Sequence, residues 1–321
     1  MYETDGTDGT GGYSRGWYLR QLLRLGGFYV LGMILSSLAA YVLLIPLFHI
    51  NLFSNPWALS DMAGDANKIN ATRFVQVIGT LGTFVLPAWV VARPLGGVAH
   101  FTRMRQLPSV LFLVAIPVLF FVSSPLGSWL VNWNKQAHLP EFLYPLENLM
   151  KQLEDNAAEV TAGLTSGKTA ADLVVNLLLI ALLAALVEEF LFRGVLQRLL
   201  IAWSKNAWVG IIAASVIFSA IHLQFFGFFP RLTLGILMGV LYYSSGSLWT
   251  SILFHFLNNA FAVVIMHYGL DKGDNPLFSE SYTFPVYMVL LSALLTCAVC
   301  YYLYKNRVAD GTELEQRVQH E

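Results

Sequence analysis

Charged residues are scarce in this chain. Asp, Glu, Lys and Arg make up 12% of its 321 residues, whereas 56% of the residues are hydrophobic. Ordinary soluble domains carry roughly 25% charged residues. The net charge of −1 offers no basic surface, so we expect no nucleic-acid partner. Because many apolar runs approach the roughly 20 residues that span a bilayer, the sequence predicts an integral, multi-pass membrane protein.

Cysteine is also nearly absent. Cys297 and Cys300 are the only two cysteines, and both lie in the last apolar run. A disulfide framework and a four-cysteine zinc site are therefore excluded. A redox-active pair would need solvent access, so we interpret the two as small residues on a membrane helix.

Several familiar motifs are missing as well. The chain has no HExxH helix and no GxSxG serine motif. Residues 162–169 read AGLTSGKT, which is similar to a relaxed P-loop, but a polar acidic stretch rather than a strand precedes them. We therefore do not expect nucleotide binding.

Eight apolar segments predict an all-α, polytopic membrane helix bundle with about eight transmembrane helices. The segments are residues 28–48, 74–92, 109–131, one that starts near Leu173, 207–226, 232–243, 248–267 and 284–304. Arg and Lys are denser in the connections that would share a side with both termini. The positive-inside rule then predicts cytoplasmic termini, with the cell inner (cytoplasmic) membrane as the location.

The segments divide the chain into four regions. Residues 1–27 are expected to be a cytoplasmic or interfacial segment, disordered over 1–12, and residues 28–170 a transmembrane region with a polar extracytoplasmic loop. Residues 171–270 form the functional core, and 271–321 hold the last span and a polar tail. In the polar loop, Phe142, Leu146, Leu149 and Leu153 recur at helical steps, which predicts an amphipathic surface helix.

Ionisable side chains inside membrane-length apolar runs are costly and indicate function. Three pairs of residues lie four apart, so each pair shares one helix face. Measured from the expected inner helix ends, Glu188, His222 and His255 lie about 18, 24 and 12 Å deep. Because scattered polar groups would face lipid, we expect them to converge on one hydrated cavity. The pairs are Glu189 and Arg193 (with Glu188 adjacent), Phe218 and His222, and His255 and Asn259.

These residue types suit hydrolysis. Glu188 with His222 can activate a water as general base and water-positioner, while Arg193 keeps its neighbour Glu189 ionised. His255 and Asn259 can stabilise a tetrahedral oxyanion. Phe218 has no proton chemistry, so it is expected to line the site, either as a packing residue or as a contact for the substrate.

The motifs Glu188-Glu189-x-x-x-Arg193, Phe218-x-x-x-His222 and His255-x-x-x-Asn259 resemble those of the CPBP intramembrane proteases. This family of CAAX proteases and bacteriocin-processing (Abi) enzymes includes the Rce1-type prenyl-protein endopeptidases. The resemblance covers about residues 173–268 and implies the catalytic roles given above.

The family is also described as metalloprotease-like. Glu188, His222 and His255 would be an acceptable zinc triad, but ligand type alone does not fix the metal. We favour a glutamate-dependent mechanism that requires no cofactor, with zinc as the alternative.

The sequence thus predicts a CAAX-protease-like intramembrane endopeptidase. It would act within the lipid bilayer on a membrane protein or peptide, including a lipid-anchored one. The glycine-bearing segment 232–243 would permit close helix packing and frame a substrate entrance. Two alternatives stay open: a non-catalytic membrane scaffold, and a transporter with a polar midplane site, although paired broken helices in two similar halves are not seen.

Overall fold

The computed structural model describes residues 13–62, 64–270 and 282–308. Two predictions lie wholly or largely outside these residues: the disordered start at 1–12 and the polar tail beyond residue 308. Throughout the described ranges the regular structure is helical and contains no strand. The predicted all-α class is confirmed.

The bundle consists of long helices joined by short connections. The main ones are α1 (Arg15–Phe48), α2 (Ala66–Ala92), α3 (Val110–Lys135), α4 (Tyr144–Leu164), α5 (Ala170–Ser204), α6 (Ala207–Ala220), α7 (Phe228–Ser245), α8 (Leu248–Tyr268) and α9 (Val286–Lys305).

In the described part of the chain, seven helices are long and apolar enough to cross a membrane: α1, α2, α3, α5, α7 with the turn before it, α8 and α9. The remaining apolar helix, α6, has 14 residues. At 1.5 Å per residue it reaches about 21 Å, short of the roughly 30 Å hydrocarbon core. The prediction of a polytopic bundle is confirmed, but the fifth span, expected over 207–226, stops being a continuous helix at Ala220.

Other boundaries also shift. The first helix begins at Arg15 rather than near residue 28, because the Ser14 side chain caps it by accepting a hydrogen bond from the Trp17 amide at 3.3 Å. The segment expected at the interface is therefore helical. Helix α7 begins at Phe228 rather than near residue 232, which places Arg231 within a helix.

Helix α5 lies at the centre of the bundle. Its residues Phe192 and Leu199 are fully buried and belong to the same core as Phe254 of α8 and Leu241 of α7. Many leucines of α1 and α9, by contrast, are exposed on the outside of the bundle, where lipid would cover them. The ionisable residues of α5 and α8 that the sequence analysis singled out thus lie on the most enclosed helices.

Helix α5 is not uniformly α-helical. Two π-helical stretches, Leu177–Leu183 and Phe192–Gln197, flank the α-helical segment Ala184–Leu191. Such π stretches are rare and occur frequently at functional sites. Both adjacent glutamates lie between them.

Helix α4 matches the predicted amphipathic surface helix. Leu146, Leu149 and Leu153 are all exposed along it, and Phe142 just before it is 80% exposed. At its end, the P-loop-like residues take a structural role, because the Lys168 ammonium donates to the carbonyls of Met266 and His267 at the end of α8. A phosphate-binding loop would leave that lysine free for its ligand.

Candidate active site

A buried ion pair holds the centre of the site. On α5, Arg193 Nη1 donates to Glu189 Oε1 at 2.5 Å, and both side chains are fully buried. Arg193 Nη2 also donates to the Gly235 carbonyl of α7 at 3.0 Å. The predicted i,i+4 pair therefore forms, and it also joins the central helix to α7.

Gln197 extends this ladder by one more turn, and the sequence reading missed it. Its amide donates to the Gly239 carbonyl of α7 at 3.1 Å. A Cβ at Gly239 would lie 2.8 Å from Gln197 Oε1 and 2.9 Å from a methyl carbon of Ile211, so a larger residue would force these side chains to shift. The sequence contains a signal for this contact, because Gln197 follows Arg193 by four residues and Gly239 follows Gly235 by four.

His255 joins α8 to both glutamates. Its Nδ1 lies 3.0 Å from Glu189 Oε1, and its Nε2 lies 4.0 Å from Glu188 Oε2. The Glu188 side chain is 15% exposed, and among the described residues it has no hydrogen-bond partner. The two adjacent carboxylates therefore differ: Glu189 is committed to structure, and Glu188 is available for chemistry.

Phe218 packs His222 and His255 into the same cluster. Its ring centroid lies 5.1 Å from that of His222 and 6.0 Å from that of His255, and the Arg193 guanidinium lies over its face at 4.7 Å. Phe218 is 1% exposed, so it offers almost no surface to a substrate. Its packing role is evident, and its predicted substrate contact stays a prediction.

Asn259 lies one turn beyond His255 on α8. Its amide donates to the Ile180 carbonyl of α5 at 3.4 Å, and its side-chain oxygen accepts from Asn258. It therefore faces the same helix as His255, at a level further from the glutamates. The structure brings Glu188, Glu189, Arg193, Phe218, His222 and His255 into one cluster and places Asn259 at its edge.

The two imidazoles are held in the same way. His222 Nδ1 lies 2.8 Å from the Phe218 carbonyl, which can only accept, so this nitrogen carries the proton. The Nδ1 of His255 likewise donates to the Glu189 carboxylate. In its neutral form, each ring therefore presents Nε2 as a free acceptor.

The fit of the zinc alternative is mixed. Zinc-binding histidines usually donate their other ring N–H to a carboxylate or a backbone carbonyl, as both histidines do here. However, among the residues that the structure describes, no group of three or more His, Cys, Asp or Glu side chains is placed to hold a metal ion. As they lie, Glu188, His222 and His255 do not form a zinc site, so we assign no step to a metal.

A cavity of about 420 Å³ lies between α3, α7 and α8. Its wall includes Phe254 and Asn258, the sequence neighbours of His255 and Asn259 on α8, but no residue of the cluster itself. Ser124 and Arg231 add further polar groups to its wall. Arg231 is a half-buried cation that the sequence analysis did not identify. The sixth span was predicted to begin at residue 232, one residue after it.

The all-α bundle thus encloses a buried Glu–Arg–His cluster and, next to it, Glu188, which has no hydrogen-bond partner among the described residues. Residues 170–261 match the family model described as type II CAAX prenyl endopeptidase Rce1-like. The resemblance drawn from the three motifs is thereby confirmed, and all of its motif residues lie within the match. Comparison with curated proteins and with solved structures gives no match.

The matched segment is similar to a protease of the CAAX-processing type and covers less than a third of the chain. It begins at the first residue of α5 and ends within α8. Helices α1 to α4 and α9 lie outside it.

Proposed function

We propose that this protein is an intramembrane endopeptidase that hydrolyses a peptide bond with a water activated by Glu188. One observation carries the proposal. Glu188 is a carboxylate without a hydrogen-bond partner among the described residues, 4.0 Å from the free Nε2 of an imidazole that Glu189 orients. A separation of 4.0 Å is too long for a direct hydrogen bond and suits a bridging water.

The reaction would begin with that water. Glu188 accepts one proton as the water oxygen attacks the carbonyl carbon of the substrate, and the free Nε2 of His255 orients the water by accepting its second hydrogen. His222, whose ring contacts Phe218 as that of His255 does, presents a second free Nε2. As the C–N bond breaks, Glu188 returns its proton to the leaving amine.

Stabilisation of the oxyanion is assigned to Asn259, whose amide has a second N–H besides the one donated to Ile180. A neutral His255 with Nδ1–H donated to Glu189 offers Nε2 only as an acceptor. The oxyanion role expected for His255 therefore requires the doubly protonated ring. With the neutral ring, His255 positions water instead.

The substrate would be a membrane-associated protein or peptide, since Glu188, His255 and Asn259 lie on helices that are long and apolar enough to cross a bilayer. The cavity between α3, α7 and α8 is the proposed entrance, and one of its walls includes part of the glycine-bearing segment of α7. We further propose an inner-membrane location with both termini cytoplasmic, as the distribution of Arg and Lys favours. This orientation requires that α6 and the connection at residues 221–227 together cross the membrane once, in addition to the seven long helices.

The mechanism is proposed to require no metal and no cofactor. The free Glu188 carboxylate supplies the base, and the Glu189–Arg193 pair supplies the fixed charges. Zinc held by Glu188, His222 and His255 remains the alternative to be tested.

The experiment compares membrane proteomes. Native cells that lack the protein are complemented with the wild type, with Glu188→Gln or with Glu159→Gln, an exposed glutamate of α4 that serves as control. Mass spectrometry should find the same uncleaved membrane proteins in the deletion strain and the Glu188→Gln strain, and cleaved forms in the other two. Restored cleavage in the Glu188→Gln strain would refute the proposal and favour a non-catalytic scaffold.

A further inference from the structure

The segment that carries His222 contains no α-helix and ends in one turn of 3-10 helix, Phe225–Gly227. Helix α6 ends at Ala220 and α7 begins at Phe228, and residues 221–227, here called the His222 turn, join them. Leu223 in this turn has a φ of 54°, a left-handed conformation that a bulky side chain rarely adopts. Such a residue persists only where the surrounding structure holds it in place.

Three side chains from three different helices hold the turn. Buried Asn134 of α3 donates to the Phe225 carbonyl at 2.8 Å and accepts from the Phe229 amide at 2.9 Å. Glu154 of α4 accepts from the Phe226 amide at 3.1 Å.

Arg231 of α7 holds the turn from the other direction. Its Nη2 donates to the Gln224 carbonyl at 2.7 Å, and its Nη1 donates to the Gln224 side chain. A Cβ at Gly227 would overlap this guanidinium, so the glycine is what lets the arginine reach back over the turn. Three consecutive residues directly after Leu223 are thus each fixed by a separate side chain.

His222 itself has one polar contact among the described residues, the bond from Nδ1 to the Phe218 carbonyl. This single bond does not fix the ring when the backbone of residue 222 moves. The direction of Nε2 therefore depends on the position of the His222 turn. A displacement of about 1 Å at a catalytic group can cost about 100-fold in rate. The distant bonds to Gln224, Phe225 and Phe226 therefore bear on the chemistry.

We propose that Glu154 and Arg231 are positioning residues that act on the reaction through His222. The inference rests on the proposed function, in which His222 takes part. It also connects α4 with the chemistry. This helix lies outside the matched segment and exposes its apolar side chains. Its Glu154 nevertheless binds the Phe226 amide in the turn that carries His222.

The test uses the full-length protein in lipid nanodiscs and Glu154→Ala, which removes the acceptor for the Phe226 amide. Glu154→Gln keeps an acceptor oxygen at the same distance along the side chain, so it should restore function. Asp155→Ala is the matched control, since it removes a neighbouring exposed carboxylate from the same helix. Thermal unfolding of all variants separates local from global effects.

The first measurement is kinetic, with a fluorogenic peptide that ends in a prenylated-cysteine CAAX sequence as probe. We expect Glu154→Ala to lower kcat about 10- to 100-fold with KM and Tm unchanged, and the effect to vanish in a His222→Ala background. Glu154→Gln and Asp155→Ala should behave as the wild type. Equal activity of Glu154→Ala and Asp155→Ala, or a parallel loss of Tm without rescue by Gln, overturns the inference.

The second measurement does not need activity. In histidine-labelled protein, the ring signals of His222, assigned with His222→Gln, should shift or broaden in Glu154→Ala and not in Asp155→Ala. Unchanged signals overturn the positioning role even if the probe is not cleaved. Full activity of His222→Ala, by contrast, would refute the proposed role of His222 in the reaction. The spectra alone would then decide whether Glu154 affects the position of the turn.

Discussion

At the scale of single residues, the proposed site depends on the different surroundings of two adjacent carboxylates, Glu188 and Glu189. Glu189 accepts from Arg193 and from His255, and this keeps its charge compensated where water is excluded. Glu188 is rotated about 100° away on the helix and shares neither bond. A single helix thus supplies a carboxylate fixed by two polar partners and, next to it, the carboxylate that we propose as the base.

Removing one member of the buried pair should be costly. Glu189→Ala leaves the Arg193 guanidinium buried without its counter-charge, so we expect a loss of about 3–5 kcal/mol in the free energy of unfolding. Arg193→Ala should cost a similar amount, whereas the double variant should cost much less than the sum. Unfolding in mixed detergent measures all three, and additive losses would show that the pair is not coupled.

The sequence identified most residues of the cluster and few of their contacts. Glu188, Glu189, Arg193, His222 and His255 stand out because ionisable groups in apolar runs are rare. It could not tell which histidine faces which glutamate, because that depends on how α5 and α8 are rotated against each other. Asn134 and Glu154 were out of reach, since each lies more than 60 residues before the backbone group it binds.

At the scale of helices, close packing relies on a few glycines. Gly32 of α1 meets the Gly82 carbonyl of α2, and a Cβ at Gly32 would overlap that oxygen. Nearby, Ser36 Oγ donates to the Gly79 carbonyl at 3.3 Å, which further joins the two helices. Small residues at such crossings are how membrane helices approach one another.

Gly32→Ala should therefore separate α1 from α2. We expect a loss of about 1–3 kcal/mol in stability, because the backbone carbonyl cannot move aside. Gly27→Ala on the same helix is the control: nothing lies within 4 Å of its Cβ position, so stability should hold or rise by up to about 1 kcal/mol. Equal thermal midpoints for the two variants would contradict the contact.

The apolar segments predicted helices well and their ends poorly. Helix α6 ends early because the His222 turn finds its hydrogen-bond partners on other helices, and hydropathy does not register such partners. Non-helical backbone at membrane depth is tolerated only where protein or a cavity covers it. The early end of α6 therefore indicates the candidate site as clearly as the motif Phe218-x-x-x-His222 does.

At the scale of the whole molecule, the matched segment carries the candidate site residues, and helices outside the segment pack against it. Helix α3 contributes Asn134 and a wall of the cavity, and α4 contributes Glu154. The four regions drawn from the sequence stay a prediction as folding units. The N-terminal half nevertheless contacts the turn that carries His222, which the motifs alone did not indicate.

The metal-free proposal makes a prediction for the purified protein. Elemental analysis should find less than stoichiometric zinc in active preparations, and a chelator that does not unfold the protein should leave kcat unchanged. Loss of activity on chelation, with recovery on adding zinc alone, would establish the zinc alternative with Glu188, His222 and His255 as its ligands.

The most direct test of the central claim is the hydrolysis rate of purified Glu188→Gln in nanodiscs, on a substrate that the wild type demonstrably cleaves. The amide keeps the size of the side chain but cannot accept a proton from water. We expect kcat to fall about 100- to 10,000-fold while the thermal midpoint stays that of the wild type. A Glu188→Gln variant that cleaves at the wild-type rate would show that this carboxylate is not the base.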